Sequence, residues 1–84
     1  HYSFKNVARV NGGNLEILLD VQQGIIRNAK IYGDFFYRRD ISELEDALKN
    51  TPHDKAEIKK ELQPFNIDDY LANASLDELI DALF

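Results

Sequence analysis

Few side chains in this 84-residue sequence have a type and spacing that could do chemistry. The two histidines, His1 and His53, cannot make a metal site alone, and neither has a cysteine, histidine or carboxylate at a ligand spacing that stands out. His53 falls where a helix begins and is expected to be exposed. Ser3, Ser42 and Ser75 lack the surroundings of a nucleophile, and two of them suit helix starts. Gly12-Gly13 could cradle a phosphate, but a Gly-Gly pair between two strands reads first as a hairpin turn. Asp34 is the acid that stands beside two phenylalanines and near Arg38-Arg39. It reads either as a turn or cap residue or as a polar anchor at an interface. With no cysteine in the chain, disulfides, thiolate metal sites, iron–sulfur chemistry and cysteine nucleophiles are excluded. These residues do not make an active site.

The elements that would position them can be read in order. Tyr2 to Val10 reads as a strand with Phe4, Ala8 and Val10 on one face, and Asn11-Gly12-Gly13-Asn14 is a strong turn signal. Leu15, Ile17, Leu19 and Val21 alternate with Glu16, Asp20 and Gln22, and only Leu18 breaks the pattern. Gln22-Gln23-Gly24 turns the chain into Gly24–Phe36, G-I-I-R-N-A-K-I-Y-G-D-F-F. There Ile25, Arg27, Ala29 and Ile31 alternate with Ile26, Asn28, Lys30 and Tyr32. Three strands on two short turns predict an antiparallel meander. At its end, neighbouring Phe35 and Phe36 point to opposite faces in extended chain. One can enter the core, and the other is either covered by a later helix or offered to a partner.

After Phe36 the pattern becomes helical. Asp40-Ile41-Ser42-Glu43 is a variant capping box, followed by an Ile41, Leu44, Ala47 and Leu48 face. Thr51-Pro52-His53-Asp54 predicts a second helix with Thr51 as cap and Pro52 in its first turn, with Ile58 and Leu62 facing the core. Asn66-Ile67-Asp68-Asp69 starts a short third helix carrying Tyr70 and Leu71. Ser75-Leu76-Asp77-Glu78 is a full capping box, followed by Leu79, Ile80 and Leu83. The expected fold class is therefore α+β: a three-stranded antiparallel meander followed by three to four helices packed on one face.

Composition limits the partners. Residues 1–39 hold six basic residues against three acids, a net +3, whereas residues 40–84 hold four lysines against twelve acids, a net −8. The basic part is too dilute for a nucleic-acid footprint, and the whole chain has a pI near 4.8. The acidic helices read as a solvated surface or as an electrostatic steering face. No apolar run approaches a membrane span and no signal-peptide pattern is present, so the expectation is a cytoplasmic protein without nucleic-acid or membrane partners. The opening His1-Tyr2-Ser3, without methionine and inside strand-like sequence, suggests a piece of a longer chain.

The whole string resembles the C-terminal accessory domain of bacterial lipoate–protein ligase, in the single-chain form of Gram-positive bacteria. G-I-I-R-N-A-K-I-Y-G-D-F-F followed by R-R-D-I-S-E-L-E-D-A-L carries the resemblance most specifically. Arg9-Val10-Asn11-Gly12-Gly13, Ile67-Asp68-Asp69-Tyr70 and Glu78-Leu79-Ile80-Asp81-Ala82-Leu83-Phe84 extend it along residues 1–84. The resemblance implies a SufE/IscU-like fold and a parent enzyme that forms lipoyl-AMP from lipoate and ATP with magnesium. That enzyme then lipoylates a lysine of a carrier domain, in 2-oxoacid dehydrogenases or the glycine cleavage H protein. The implied partner within the chain is an N-terminal catalytic domain holding the catalytic and cofactor-binding residues, so this fragment alone has neither catalytic residues nor a cofactor. Its implied role is a lid that supports adenylate formation and then moves aside. Gly33, Asp34, Phe35, Phe36, Arg38 and Arg39 are the expected contacts with the large domain. A stand-alone interaction module using the acidic helical face is the alternative.

Overall fold

A computed structural model describes residues 2–34 and 38–84. Three strands, β1 (Phe4–Val10), β2 (Gly13–Gln22) and β3 (Ile25–Gly33), form one antiparallel sheet in the order β1-β2-β3. Helices α1 (Ser42–Leu48), α2 (Lys55–Leu62) and α3 (Leu76–Ala82) follow, with a single 3₁₀ turn at Ile67–Asp69. The fold is α+β, as the order of the two periodicities predicts.

Both turns are two residues long, because Val10 pairs with Gly13 and Gln22 with Ile25. Gln23 and Gly24 both take positive φ, 54° and 75°, as a tight hairpin matching the strand twist demands. Gly12 has φ of 104°, and a Cβ there would lie 2.5 Å from the carbonyl oxygen of Ala72. This turn is therefore pressed against the loop that precedes α3, and glycine is required by both conformation and space.

Register sorts the two sheet faces, since directly paired residues share a face. Phe4, Leu19 and Ala29 make one inward row, and Asn6, Ile17 and Ile31 the next. Leu15, Ile17, Leu19, Ile26 and Ile31 are fully buried against Leu44, Leu48, Ile58, Leu62, Leu71, Leu79 and Leu83 from the helical layer. The one polar side chain on the Asn6 row is satisfied: its Nδ2 donates to the Ala82 carbonyl at 2.9 Å.

The expected phase of the third strand needs correction. Asp20 pairs with Asn28 but Val21 with Ile26, so Arg27 is an extra residue, a β-bulge. The bulge reverses the alternation before it. Ile26 is buried and Arg27 exposed, whereas Ala29 and Ile31 keep the inward face. At the same place the outer edge of β3 is covered by the segment 50–53. Ile26 N–H donates to the Thr51 carbonyl at 2.9 Å, Asn50 N–H to the Ile26 carbonyl at 2.7 Å, and His53 N–H to the Gly24 carbonyl at 2.8 Å. Farther along, Glu45 of α1 accepts from Ile31 N–H at 2.8 Å, so this strand edge is closed by its own chain.

That use of residues 50–53 also moves the start of α2. Thr51 is buried and its Oγ1 donates to the Ala47 carbonyl, Pro52 bridges to Ile25, and Asp54 is the N-cap instead, accepting from Glu57 N–H at 3.1 Å. The capping box of α3 forms as expected from Ser75 and Glu78. Asp40 caps α1 less directly: its side chain accepts from Ser42 N–H at 2.9 Å, while Ile41 occupies the N-cap position.

Candidate functional site

One sheet face is covered by the helices, and no described helix covers the other. On this open face the row Val7–Glu16–Tyr32 crosses all three strands, and Lys5–Leu18–Lys30 lies beside it. Val7 is 67% exposed and Tyr32 50%, an aliphatic and an aromatic side chain left in water by the fold that buried their neighbours. Lys5 reaches Glu16 at 3.3 Å across the strands. A shallow depression of about 430 Å³ opens here, with Val7, Glu16, Tyr32, Gly33 and Asp34 among its lining residues.

Asp34 closes one corner of this face. Its Oδ1 accepts from Asn14 N–H at 3.0 Å and its Oδ2 from Asn14 Nδ2 at 3.3 Å, while Arg9 Nη1 donates to Asn14 Oδ1 at 3.3 Å. The start of β2, the end of β3 and the end of β1 are thereby tied through three polar side chains. Asp34 is a turn residue in geometry, and it stands on the rim of the open depression.

The sequence-predicted site residues divide into two groups. Gly33 and Asp34 belong to the open-face corner. Arg38 and Arg39 are instead fastened to the far layer: both backbone N–H groups donate to the Asp69 carbonyl, at 2.9 and 3.1 Å. The Arg38 guanidinium pairs with Asp69 at 3.8 Å. Arg39 donates through Nε and Nη2 to Glu43 Oε1 and through Nε to the Tyr70 hydroxyl, which itself donates to Glu43 Oε1 at 2.6 Å. Hydrogen bonds from Tyr70 and Arg39 hold the Glu43 carboxyl below the usual carboxylate range. Desolvation, assisted by the bond to Glu43, pushes the Tyr70 hydroxyl above its ordinary value. Phe35 and Phe36 lie outside the described residues.

His53, expected to be exposed, is half-buried. Its Nε2 lies 2.7 Å from the Leu83 carbonyl, which fixes the proton on Nε2, and its ring stacks on Phe84 at 4.3 Å and meets Phe4 edge-on at 5.5 Å. The imidazole thus packs between β1 and the end of α3. Among the described residues no group of three or more His, Cys, Asp or Glu is gathered to hold a metal ion, and no helix is long and apolar enough to cross a membrane.

Comparison with known proteins decides the family. The family model for "Bacterial lipoate protein ligase C-terminus" matches residues 1–83. The chain belongs to this family. A lipoate–protein ligase of Streptococcus pyogenes serotype M5 is 36% identical over 83 residues, 99% of this chain and 24% of that protein. Lipoate–protein ligase 1 of Staphylococcus aureus is 35% identical over 79 residues, 94% of this chain and 24% of that protein. The chain therefore spans about a quarter of the length of the curated relatives it matches. A solved structure from Thermoplasma acidophilum, described as a bi-partite lipoate protein ligase and its E2 lipoyl domain, superposes with a TM-score of 0.79 at 23% identity. The superposition covers 96% of this chain and 93% of that one and confirms the fold.

In this lipoate–protein ligase C-terminal domain, one further polar joint holds the sheet to the helices. Glu78, the acid of the α3 capping box, accepts from Ser75 N–H at 2.9 Å and from Asn11 N–H at 2.8 Å, and Asn11 Nδ2 donates to the Asn73 carbonyl. These backbone donors, Asn11 first, hold the Glu78 carboxyl below its ordinary range. Reading the sequence missed Val7, Asn14 and Glu16 as members of the open-face site. The signals present were Leu18 and Tyr32, apolar residues on the polar phase of their strands.

Proposed function

We propose that this domain is the accessory lid of an ATP-dependent lipoate–protein ligase. It supports formation of lipoyl-AMP by the larger part of the enzyme and then moves aside so that a lysine of a lipoyl carrier domain can reach the adenylate. The observation that carries this reading is the match along residues 1–83 to the C-terminal quarter of lipoate–protein ligases. A second support is the chemistry of the domain itself. His53 packs between aromatic rings, and most of the described carboxylates are engaged in caps, turns and ion pairs. A domain of this kind contributes by position: it excludes water from a reactive mixed anhydride and then releases. The archaeal ligase is bi-partite, and its matched chain is nearly the length of this one. That supports a small part physically separable from the larger one.

ATP and lipoate, on this reading, are bound by the larger part. Magnesium, on the same reading, acts there with ATP. The carrier partners are the lipoyl domains of 2-oxoacid dehydrogenases and the glycine cleavage H protein.

The test separates the two half-reactions in the ligase chain with and without residues 1–84. Loss of lipoyl-AMP formation, with transfer from preformed lipoyl-AMP retained, is the expected result. Survival of both half-reactions overturns the lid. Where both are lost, adding residues 1–84 back in trans must restore adenylation, and failure to restore it also counts against the reading.

A further inference from the structure

We propose that the open sheet face is the surface on which the larger part of the ligase closes, with Val7 and Tyr32 as the apolar contacts and the Arg9–Asn14–Asp34 corner as a rigid polar border. This inference rests on the accessory-domain reading above and adds the place of contact and its chemistry.

The first argument is packing. A sheet face carrying only charged and polar residues would be an ordinary solvated surface, the usual condition of a two-layer α+β domain. Here the central row sets Val7 and Tyr32 on either side of Glu16, and the adjacent row places Leu18 between Lys5 and Lys30. The apolar side chains flank a depression of about 430 Å³, enough for one large side chain of a partner. The border is held in place beforehand. Asn14 is gripped by both oxygens of Asp34 and by Arg9, so a partner meets a corner that need not be ordered on contact.

The second argument identifies the occupant. In the relatives, about three quarters of the ligase chain lies outside the matched region. A domain joined to its partner by the chain meets it at an effective concentration in the millimolar range, so a small mixed surface is sufficient. The open face is of that kind, two exposed apolar side chains among lysines, an arginine and a glutamate, as in interfaces between domains of one chain that open and close. Charge points the same way. Lys5, Arg9 and Lys30 share the open face with Glu16, Asp20 and Asp34, a balanced mixture of signs suited to a partly polar contact between domains, whereas the helical layer derives from the half with a net charge of −8.

The experiment uses Val7→Cys and, on the helical surface, Lys59→Cys, each in the 84-residue chain and in the full ligase, with alkylation rates read at the peptide level by mass spectrometry. The natural domain contains no cysteine, so the label reports a single site within it. With lipoate and a non-hydrolysable ATP analogue present, Val7→Cys is expected to react at least tenfold more slowly in the full ligase than in the 84-residue chain. Lys59→Cys is expected to react alike in both. Equal rates for Val7→Cys, or protection of Lys59→Cys alone, would overturn the assignment of this face. Slow alkylation of Val7→Cys in the 84-residue chain, together with dimeric sedimentation, would assign the face to a second copy and overturn it as well. A companion variant, Val7→Lys, is expected to lower the rate of lipoyl-AMP formation at least tenfold while transfer from preformed lipoyl-AMP stays unchanged. Failure of this inference is distinguishable from failure of the lid reading. If deleting residues 1–84 abolishes adenylation but Val7→Lys does not lower it, only the face is wrong. If the deletion spares adenylation, the lid itself is.

Discussion

Gly12 offers a sharp test of how the two layers are joined, because its two requirements can be separated by comparison with Gly24. Both glycines have positive φ, 104° and 75°, but a Cβ at Gly24 would meet nothing within 4 Å, whereas at Gly12 it would stand 2.5 Å from the Ala72 carbonyl oxygen. Gly24→Ala therefore reports conformation alone. A left-handed conformation costs an L-residue about 1–2 kcal/mol, and the stiffer unfolded chain returns about 0.4–1 kcal/mol, leaving a net loss of about 0.5–1 kcal/mol. Gly12→Ala carries at least that term, since its φ lies farther from the left-handed basin, and adds a clash half an ångström inside the closest approach that real Cβ atoms show. The turn or the 72–73 loop must shift, which strains the hydrogen bonds from Asn11 N–H to Glu78 and from Asn11 Nδ2 to the Asn73 carbonyl. Losing one such bond to a charged acceptor costs roughly 1.5–3 kcal/mol, so Gly12→Ala is expected to cost about 2–4 kcal/mol in all. Urea unfolding of the wild-type chain and both variants measures the difference, with equal m-values as the check that the transition stays two-state. Equal losses for the two variants would refute the reasoning, since the contact with Ala72 would then contribute nothing.

Two further outcomes follow from the polar joints. Tyr70→Phe removes the donor to Glu43 Oε1 and the acceptor for Arg39 Nε, and should cost about 1 kcal/mol in a thermal or urea melt. A variant as stable as wild type would mean that Arg39 alone satisfies Glu43. For Glu78 the pH dependence has a definite sign: its folded-state pKa lies below the unfolded value of about 4.3. Its contribution is therefore present above that value and is lost as pH falls through the folded-state value. The stability gap between wild type and Glu78→Gln should be widest near pH 7 and close as pH falls below about 4, read from urea midpoints across that range. A gap that persists undiminished in acid would show that the carboxylate charge is not what secures Asn11.

Much of the fold was legible because the chain changes period once, from two to 3.6, and marks the joints with strong local chemistry. Asn11-Gly12, Gln23-Gly24 and the Ser75–Glu78 capping box are each decided within four residues, and all three stand where their residue types require. What could not be read was set by contacts between distant segments. The doublet Ile25-Ile26 satisfies either phase of the third strand, and the bulge at Arg27 is chosen where residues 50–53 lie along the strand edge. The same pairing displaces the start of α2 from Thr51 to Asp54 and draws His53 in between Phe4 and Phe84. At the candidate site, Gly33-Asp34 was visible as a strand end. Its partners Asn14 and Arg9 depend on register, which no local pattern prints. Arg38 and Arg39 are adjacent to the site in sequence, yet their backbone and side chains are committed to Asp69, Glu43 and Tyr70.

The modest size of the open face bears on how a lid of this kind would work. Closing and releasing in every cycle requires the two states to lie close in free energy, because a strongly favoured closed state would withhold the adenylate from the carrier lysine. For a tethered domain at millimolar effective concentration, balance is reached with an intrinsic dissociation constant near ~1 mM, about 4 kcal/mol of association free energy. Fully burying a side chain such as valine contributes about 1.5–3 kcal/mol. Val7 and Tyr32 are already partly covered, so in the proposed contact they would together supply a free energy of that order, and the charged residues around them would add direction more than strength. A broad apolar sheet face would overshoot the balance and expose a sticky surface whenever the lid stood open. Two apolar side chains on a preorganised polar frame would meet both demands.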